Sequence, residues 1–265
     1  MKFENTEVWG FEHAIRGMRN PLNSWDKSDS GYGCAHIIRS GGRCVDCPFD
    51  KNLCENRTVF KIGDNDLALM QKLISAGSEH RKFLRQIFVS VDITAPLYWW
   101  KEFDTYKVGT VANSTSTMHK LASTPITLDC FETDDYDESM IFDKGIDDRV
   151  NCPYRCNYHL RDVIGRDEWC YDTDYTLIGF LENLRQKYLE TKDKRYWKEL
   201  IRWLPESWLQ KRTITMNYEN ILTIYRQRKN HKLNEWSGAD NSELSNYISW
   251  VKTLPYAEKL ILIEN

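Results

Sequence analysis

From Ile87 to Ile93 the chain alternates without a break: Ile87, Val89, Val91 and Ile93 against Phe88, Ser90 and Asp92. A period of two sends these two sets to opposite faces of a strand, so one face must be buried. The β-rich stretch as a whole runs from Phe83 to Ile93. Pro96 then starts a short aromatic helix, Leu97-Tyr98-Trp99-Trp100-Lys101-Glu102-Phe103, near whose first turn a missing N–H does no harm.

Other segments follow the helical period. Asp64 is a candidate N-cap for a helix whose Leu67, Met70, Leu73 and Ile74 share a face, with Gly77 as its C′ residue. Tyr175 to Lys192 (Leu177, Phe180, Leu181, Leu184, Tyr188) and Asn220 to Lys229 (Ile221, Leu222, Ile224, Tyr225) are amphipathic. Trp208 to Met216 reads as a strand and Ser242 to Thr253 as a final helix. Phe3 to Arg19 mixes alternation at Glu7–Phe11 with polar residues, and is expected to be an edge strand followed by loop. Strands and helices alternate irregularly, which favours an α+β fold, a sheet packed with helices. The expected organisation is a single domain over 1–265, with a Cys-rich insertion at 29–57 and an acidic, Cys-containing excursion at 123–174. No G-x-G-x-x-G or Walker A loop is present to cradle phosphates.

Composition narrows the class. The 265 residues include 10 Trp and 14 Tyr but only 13 Gly and 7 Pro, which excludes disordered and collagen-like chains. A net charge of -3 gives no global drive towards nucleic acid or anionic lipid, so neither partner is expected. No stretch approaches the roughly 18 apolar residues of a membrane span, and Met1 to Glu7 lacks an apolar signal core. The expectation is a soluble, cytoplasmic protein whose Cys are reduced thiols or metal ligands.

Five local features stand where chemistry can use them. They are Glu79-His80 ahead of the strand, Asp104-Thr105-Tyr106 after the aromatic helix, Asn113-Ser114-Thr115-Ser116, Leu204-Pro205, and Thr215-Met216-Asn217 leading to Arg228 and Asn234. Together, over about residues 64–120 and 195–237, they resemble the flavin-dependent thymidylate synthases. That family makes deoxythymidylate from deoxyuridine monophosphate (dUMP), takes the carbon from methylene-tetrahydrofolate and uses a flavin to deliver hydride. The resemblance implies a homotetramer, FAD as cofactor, and reduced folate and NADPH as further partners. Its substrate would be a pyrimidine deoxynucleotide, methylated or otherwise modified at C5.

Residue by residue, the resemblance makes Arg228 and His80 the catalytic candidates. It gives Ser114, Ser116, Asn234 and Tyr106 to the substrate, and Glu79, His80, Asn217 and Thr105 to the cofactor. Arg228 would place positive charge at the base carbonyl, where negative charge develops, and His80 would titrate near neutral pH or donate to a ligand oxygen. The family's Arg-His-Arg is Asp104-Thr105-Tyr106 here. The Arg two residues after its Ser is Ser116, and the Arg two residues after its Asn is Glu219. Nucleotide phosphates favour Arg forks, so compensating cations are expected from Lys101, Lys107, Lys120, Arg202 or Lys211-Arg212. Trp99, Trp100 and Tyr106 could stack on a flavin or base, while two adjacent Trp on a helix are more often core. An Arg near a helix C-terminus such as Arg228 also suits the dipole whatever its function.

The spacing Cys34-x9-Cys44-x2-Cys47-x6-Cys54 brings four thiols into one Gly-rich segment. A C-x2-C pair with two further thiols can complete a tetrahedral site, for zinc first and an iron–sulfur cluster second. Cys130, Cys152, Cys156 and Cys170, with His159, form a looser second group. The alternative to an enzyme is a non-catalytic module. It would be stapled by zinc and would keep the fold for oligomerisation and for contact with nucleic acid or protein.

Overall fold

A computed structural model describes residues 1–34, 58–134, 177–239 and 245–263. The architecture mixes helix and sheet, as the α+β reading expects. Strands β1 (Lys2–Trp9), β4 (Phe88–Pro96), β6 (Leu209–Asn217) and β5 (Val111–Ser114) hydrogen-bond in the order β1-β4-β6-β5. Strands β2 (Gly31–Cys34) and β3 (Thr58–Lys61) form a separate antiparallel pair, with Gly31 opposite Lys61 and Cys34 opposite Thr58. The alternation that marks β4 is realised in full: Ile87, Val89, Val91, Ile93 and Ala95 are all completely buried.

The chain divides into two compact units. One comprises Met1–Lys2, Asp92–Thr105 and Asn113–Thr213. It holds α3 (Leu97–Phe103), the short α4 (Thr117–Lys120), α5 (Leu177–Thr191) and α6 (Lys194–Arg202). Pro96 is the N-cap of α3, and the first amides of that helix are satisfied across the fold: Leu97 N–H donates to the Trp208 carbonyl at 3.1 Å and Tyr98 N–H to that of Glu206 at 3.2 Å. Trp99 and Trp100 are buried, packed edge to face at 4.9 Å, and Trp100 Nε1 donates to the Gln210 carbonyl at 2.9 Å. They are core residues. Helices α5 and α6 pack together over Leu121, Ile126, Phe131, Leu181 and Leu200. Asp193 caps α6, accepting from Arg195 N–H at 2.9 Å.

The other unit comprises Phe3–Val91, Tyr106–Ala112 and Ile214–Asn265. Here the segment after β1 is helix α1 (Phe11–Arg19), where the sequence suggested loop. Gly10 opens it at φ +102°, and Ala14 and Ile15 supply a narrow buried stripe that charged neighbours disguise. Helix α2 (Asp64–Ser75) begins one residue earlier than expected, with Gly63 at the N-cap. Its first amides are capped from a distance: Asp29 accepts from Asn65 N–H at 2.9 Å and Asp66 N–H at 3.1 Å. Gly77 closes the helix at φ +109°, as its sequence position indicated. Phe83 to Gln86, expected to belong to the β-rich stretch, instead lie in a 3-10 turn (Lys82–Gln86) against which α1 and α7 (Tyr218–Arg228) pack. The remaining helices are α8 (Asn234–Ser237), α9 (Tyr247–Lys252) and α10 (Ala257–Leu260).

Beneath α1 lies an ion pair that sequence spacing did not reveal. Arg19 Nε donates to Asp66 at 2.6 Å, and both side chains are buried. Asp66 also accepts from the hydroxyls of Ser28 at 2.7 Å and Ser30 at 2.6 Å. Arg19 uses its two terminal nitrogens on the carbonyls of Ser24 and Lys27. Burial pushes the Asp66 carboxyl up, but hydrogen bonds from Ser30, Ser28 and Arg19 outweigh it and hold the group below the usual carboxylate range. Every donor and acceptor in this network has a partner, the condition under which a buried pair is tolerated.

Candidate functional site

The structure gathers part of the candidate set around the end of α7. Asn217 opens this helix with a reciprocal capping box: its Oδ1 accepts from Asn220 N–H at 3.0 Å, while its own N–H donates to Asn220 Oδ1 at 3.2 Å. Asn220 also reaches the turn that carries Tyr106, donating through Nδ2 to the Val108 carbonyl at 2.6 Å. Gly109 sits at φ +78° in that turn, where a Cβ would lie 3.1 Å from Asn217 Nδ2. The turn is thus fixed against the start of α7.

At the far end of α7, Arg228 Nε donates to the Tyr106 hydroxyl at 2.9 Å, and that hydroxyl bonds Gln227 Oε1 at 2.9 Å. The guanidinium carbon lies 5.0 Å from the centre of the Trp236 ring and 5.7 Å from that of Tyr106, within cation–π range. Trp236 is completely buried, and Asn234, which begins the same short helix α8, is buried with it. Arg228 and Tyr106 are therefore joined directly, and Asn234 stands two residues from the ring beneath Arg228. Their separation in the chain explains why spacing alone could not pair them.

Glu79 and His80 form a second cluster in the same unit. They lie exposed in the turn after α2 and line a cleft of about 900 Å³ together with Lys27, Lys82, Asn65 and Leu73. That volume is within the range of roughly 300–1,000 Å³ typical of small-molecule sites. Two lysines and a histidine against one glutamate suit an anionic arm, and the apolar wall suits a planar body. The donor set therefore fits a flavin nucleotide.

Thr105, Ser114 and Ser116 belong to the other unit. The Thr105 hydroxyl is turned back to the Glu102 carbonyl at 2.7 Å, closing the end of α3. Ser114 ends β5 and is exposed, and the Thr115 that follows is fixed by its N–H to the Lys211 carbonyl at 2.9 Å. Several of the expected compensating cations face carboxylates. Arg212 binds Asp104 at 2.8 Å and lies 4.2 Å above the Trp100 ring. Lys101 is 2.5 Å from Glu206, and Lys211 is 3.3 Å from Asp92. Asp104, at the first position of the altered signature, thus carries its own counter-ion.

Cys34 is half-buried at the end of β2, while Cys44, Cys47 and Cys54 lie outside the described residues, as do Cys152, Cys156, Cys170 and His159 of the second group. Among the described residues no group of three or more His, Cys, Asp or Glu side chains is placed to hold a metal ion. Nor is any described helix long and apolar enough to cross a membrane.

This arrangement of sheet and helices is the fold of the flavin-dependent thymidylate synthases. Among the solved structures it resembles are two crystal structures of ThyX from Helicobacter pylori, both with FAD and dUMP. One matches with a TM-score of 0.55 and 14% identity over 98% of each chain. The other, at 2.31 Å resolution, matches with a TM-score of 0.55 and 13% identity over 98% of this chain and 97% of that one. No protein-family model and no curated protein matches the sequence.

Proposed function

We propose that the chain is a flavin-dependent, thymidylate synthase-like enzyme that binds a pyrimidine deoxynucleotide and methylates or otherwise modifies dUMP at C5. The observation that carries this reading is the seat of Arg228, a guanidinium held by Tyr106 over the buried face of Trp236. A cation held by a hydrogen bond and two aromatic rings can meet the negative charge that develops on a pyrimidine carbonyl during attack at C5, at little reorganisation cost. The ThyX structures contain FAD and dUMP, and their fold extends over nearly the whole chain, which supports both ligands here.

FAD would supply the hydride chemistry when bound. For this chain, His80 and Glu79 would face it across the cleft, with Lys27 and Lys82 near its anionic arm. Asn217, locked in its capping box, would act by fixing the start of α7. Ser114, Ser116, Thr105 and Asn234 would take the substrate and cofactor roles the resemblance gives them. Reduced folate and NADPH would complete the reaction, and the assembly would be a homotetramer. Cys34, Cys44, Cys47 and Cys54 would hold zinc or an iron–sulfur cluster.

The test is tritium release from dUMP labelled at C5, in the presence of FAD, methylene-tetrahydrofolate and NADPH. Release that depends on Arg228 supports the enzyme; no release, together with no dUMP binding, overturns it. One observation favours the non-catalytic alternative: Asp104 and Glu219, both at positions where the family has Arg, are engaged by Arg212 and Arg81. On that reading, dUMP binding and tritium release would both be absent while a metal-dependent partner contact persisted.

A further inference from the structure

We propose that Tyr106 is a positioning residue, which fixes the guanidinium of Arg228 for its ligand and does not itself touch that ligand. The inference rests on the role proposed for Arg228 and changes the role of Tyr106, which the family resemblance gave to the substrate.

A guanidinium is planar and rigid, so fixing Nε and one face sets the direction of both terminal nitrogens. Tyr106 does the first, accepting from Nε at 2.9 Å, and Trp236 supports the second at 5.0 Å. The phenolic proton is directed as well, because Gln227 Oε1 stands 2.9 Å from the same oxygen. With Arg228 donating to the hydroxyl and Gln227 accepting from it, the hydroxyl is committed to the protein on both sides.

The anchoring continues back from Tyr106. The Thr110 hydroxyl donates to the Tyr106 carbonyl at 2.7 Å, and Asn220 holds the Val108 carbonyl at 2.6 Å. Gly109 permits the close approach to Asn217 and Asn220. A short turn therefore links the capped start of α7 to the arginine at its end. A phenol at this position adds no charge to the site, and its hydrogen bond gives Arg228 one preferred orientation.

Two measurements on the full chain test this. The first is exchange of the Arg228 Nε proton with water, followed by nitrogen-15 NMR without ligand. Tyr106→Phe keeps the ring and removes the acceptor, so exchange should speed up about tenfold, the scale of losing a charge-assisted hydrogen bond. Unchanged exchange would overturn the proposal. The second is dUMP affinity by calorimetry for Tyr106→Phe, Arg228→Ala and the double variant, with melting temperatures confirming that each folds. Tyr106→Phe should weaken binding about tenfold and Arg228→Ala about a hundredfold, with the double variant no weaker than Arg228→Ala. A double variant tenfold weaker than Arg228→Ala would show an independent contact between Tyr106 and dUMP, and would overturn the positioning role. Wild-type protein that binds no dUMP, yet whose Nε proton is protected only when Tyr106 is present, would sink the proposed function and leave the positioning of Arg228 standing.

Discussion

Arg81 closes on Glu219 with its Nε 3.0 and 2.9 Å from the two carboxylate oxygens and a terminal nitrogen at 2.9 Å. Glu219 lies in the first turn of α7, where a carboxylate also suits the helix dipole. Arg226 lies near enough to feel both partners: burial, then the charge of Arg81, lowers its pKa, while Glu219 raises it. Removing the acid leaves the like charges of Arg81 and Arg226 without the carboxylate that offsets them. Glu219→Ala should therefore cost about 3 kcal/mol, as for a largely buried pair broken on one side. Exchanging the two as Arg81→Glu with Glu219→Arg should recover part of that. Urea unfolding of the single and paired variants decides it; a paired variant no more stable than the worse single one would rule out the ion pair as the source.

The Arg19–Asp66 pair sets an acid limit. Its carboxyl titrates below the usual range when folded, so the folded state binds fewer protons than the unfolded chain. The stabilisation is complete above the ordinary carboxylate range and fades as pH drops below about 4. Urea midpoints between pH 3 and 7 should fall on the acid side, and Asp66→Asn should flatten that slope. The variant should also lose about 3–5 kcal/mol at neutral pH, because it leaves the buried Arg19 charge without its counter-ion.

Two glycines with positive φ separate strain from crowding. A Cβ at Gly77 meets nothing within 4 Å, whereas one at Gly109 lies 3.1 Å from Asn217 Nδ2. Gly77→Ala should cost about 1 kcal/mol from backbone strain alone. Gly109→Ala should cost more, about 2–3 kcal/mol, and should also weaken dUMP binding by moving the turn that carries Tyr106. Equal melting temperatures for the two variants would contradict this.

Protein purified without oxygen under reducing conditions should carry about one equivalent of zinc, or iron with a broad visible band. Cys44→Ser and Cys47→Ser should each abolish it. Substoichiometric zinc and iron in the wild type would remove the metal reading.

Much of the framework could be read from periodicity. The buried face of β4, the apolar face of α2 and the terminating Gly77 follow from local spacing. The aromatic helix after Pro96 is legible for the same reason. What was missed lacks a local signal: α1 has a narrow buried stripe among charges, and the 3-10 turn at Lys82–Gln86 follows no apolar period. Cap geometry was half visible, since Asp64 marked the right place but Asp29, far upstream, provides the acceptor. In the candidate site, Arg228 and His80 were named from motif positions. The bond from Arg228 to Tyr106, and the pairing of Asp104 with Arg212 and Glu219 with Arg81, join distant segments and follow only from tertiary packing.

The register of the small sheet has a consequence for how such a chain diversifies. Cys34 and Thr58 are direct partners across β2 and β3, so the backbone leaves this pair and returns to it at the same place. Whatever sequence joins those two residues can change in length at modest entropic cost, because closing a loop depends only logarithmically on its size. The segment that carries Cys44, Cys47 and Cys54 can therefore be lengthened, or cut back to a tight turn, while Cys34 and Thr58 keep their pairing.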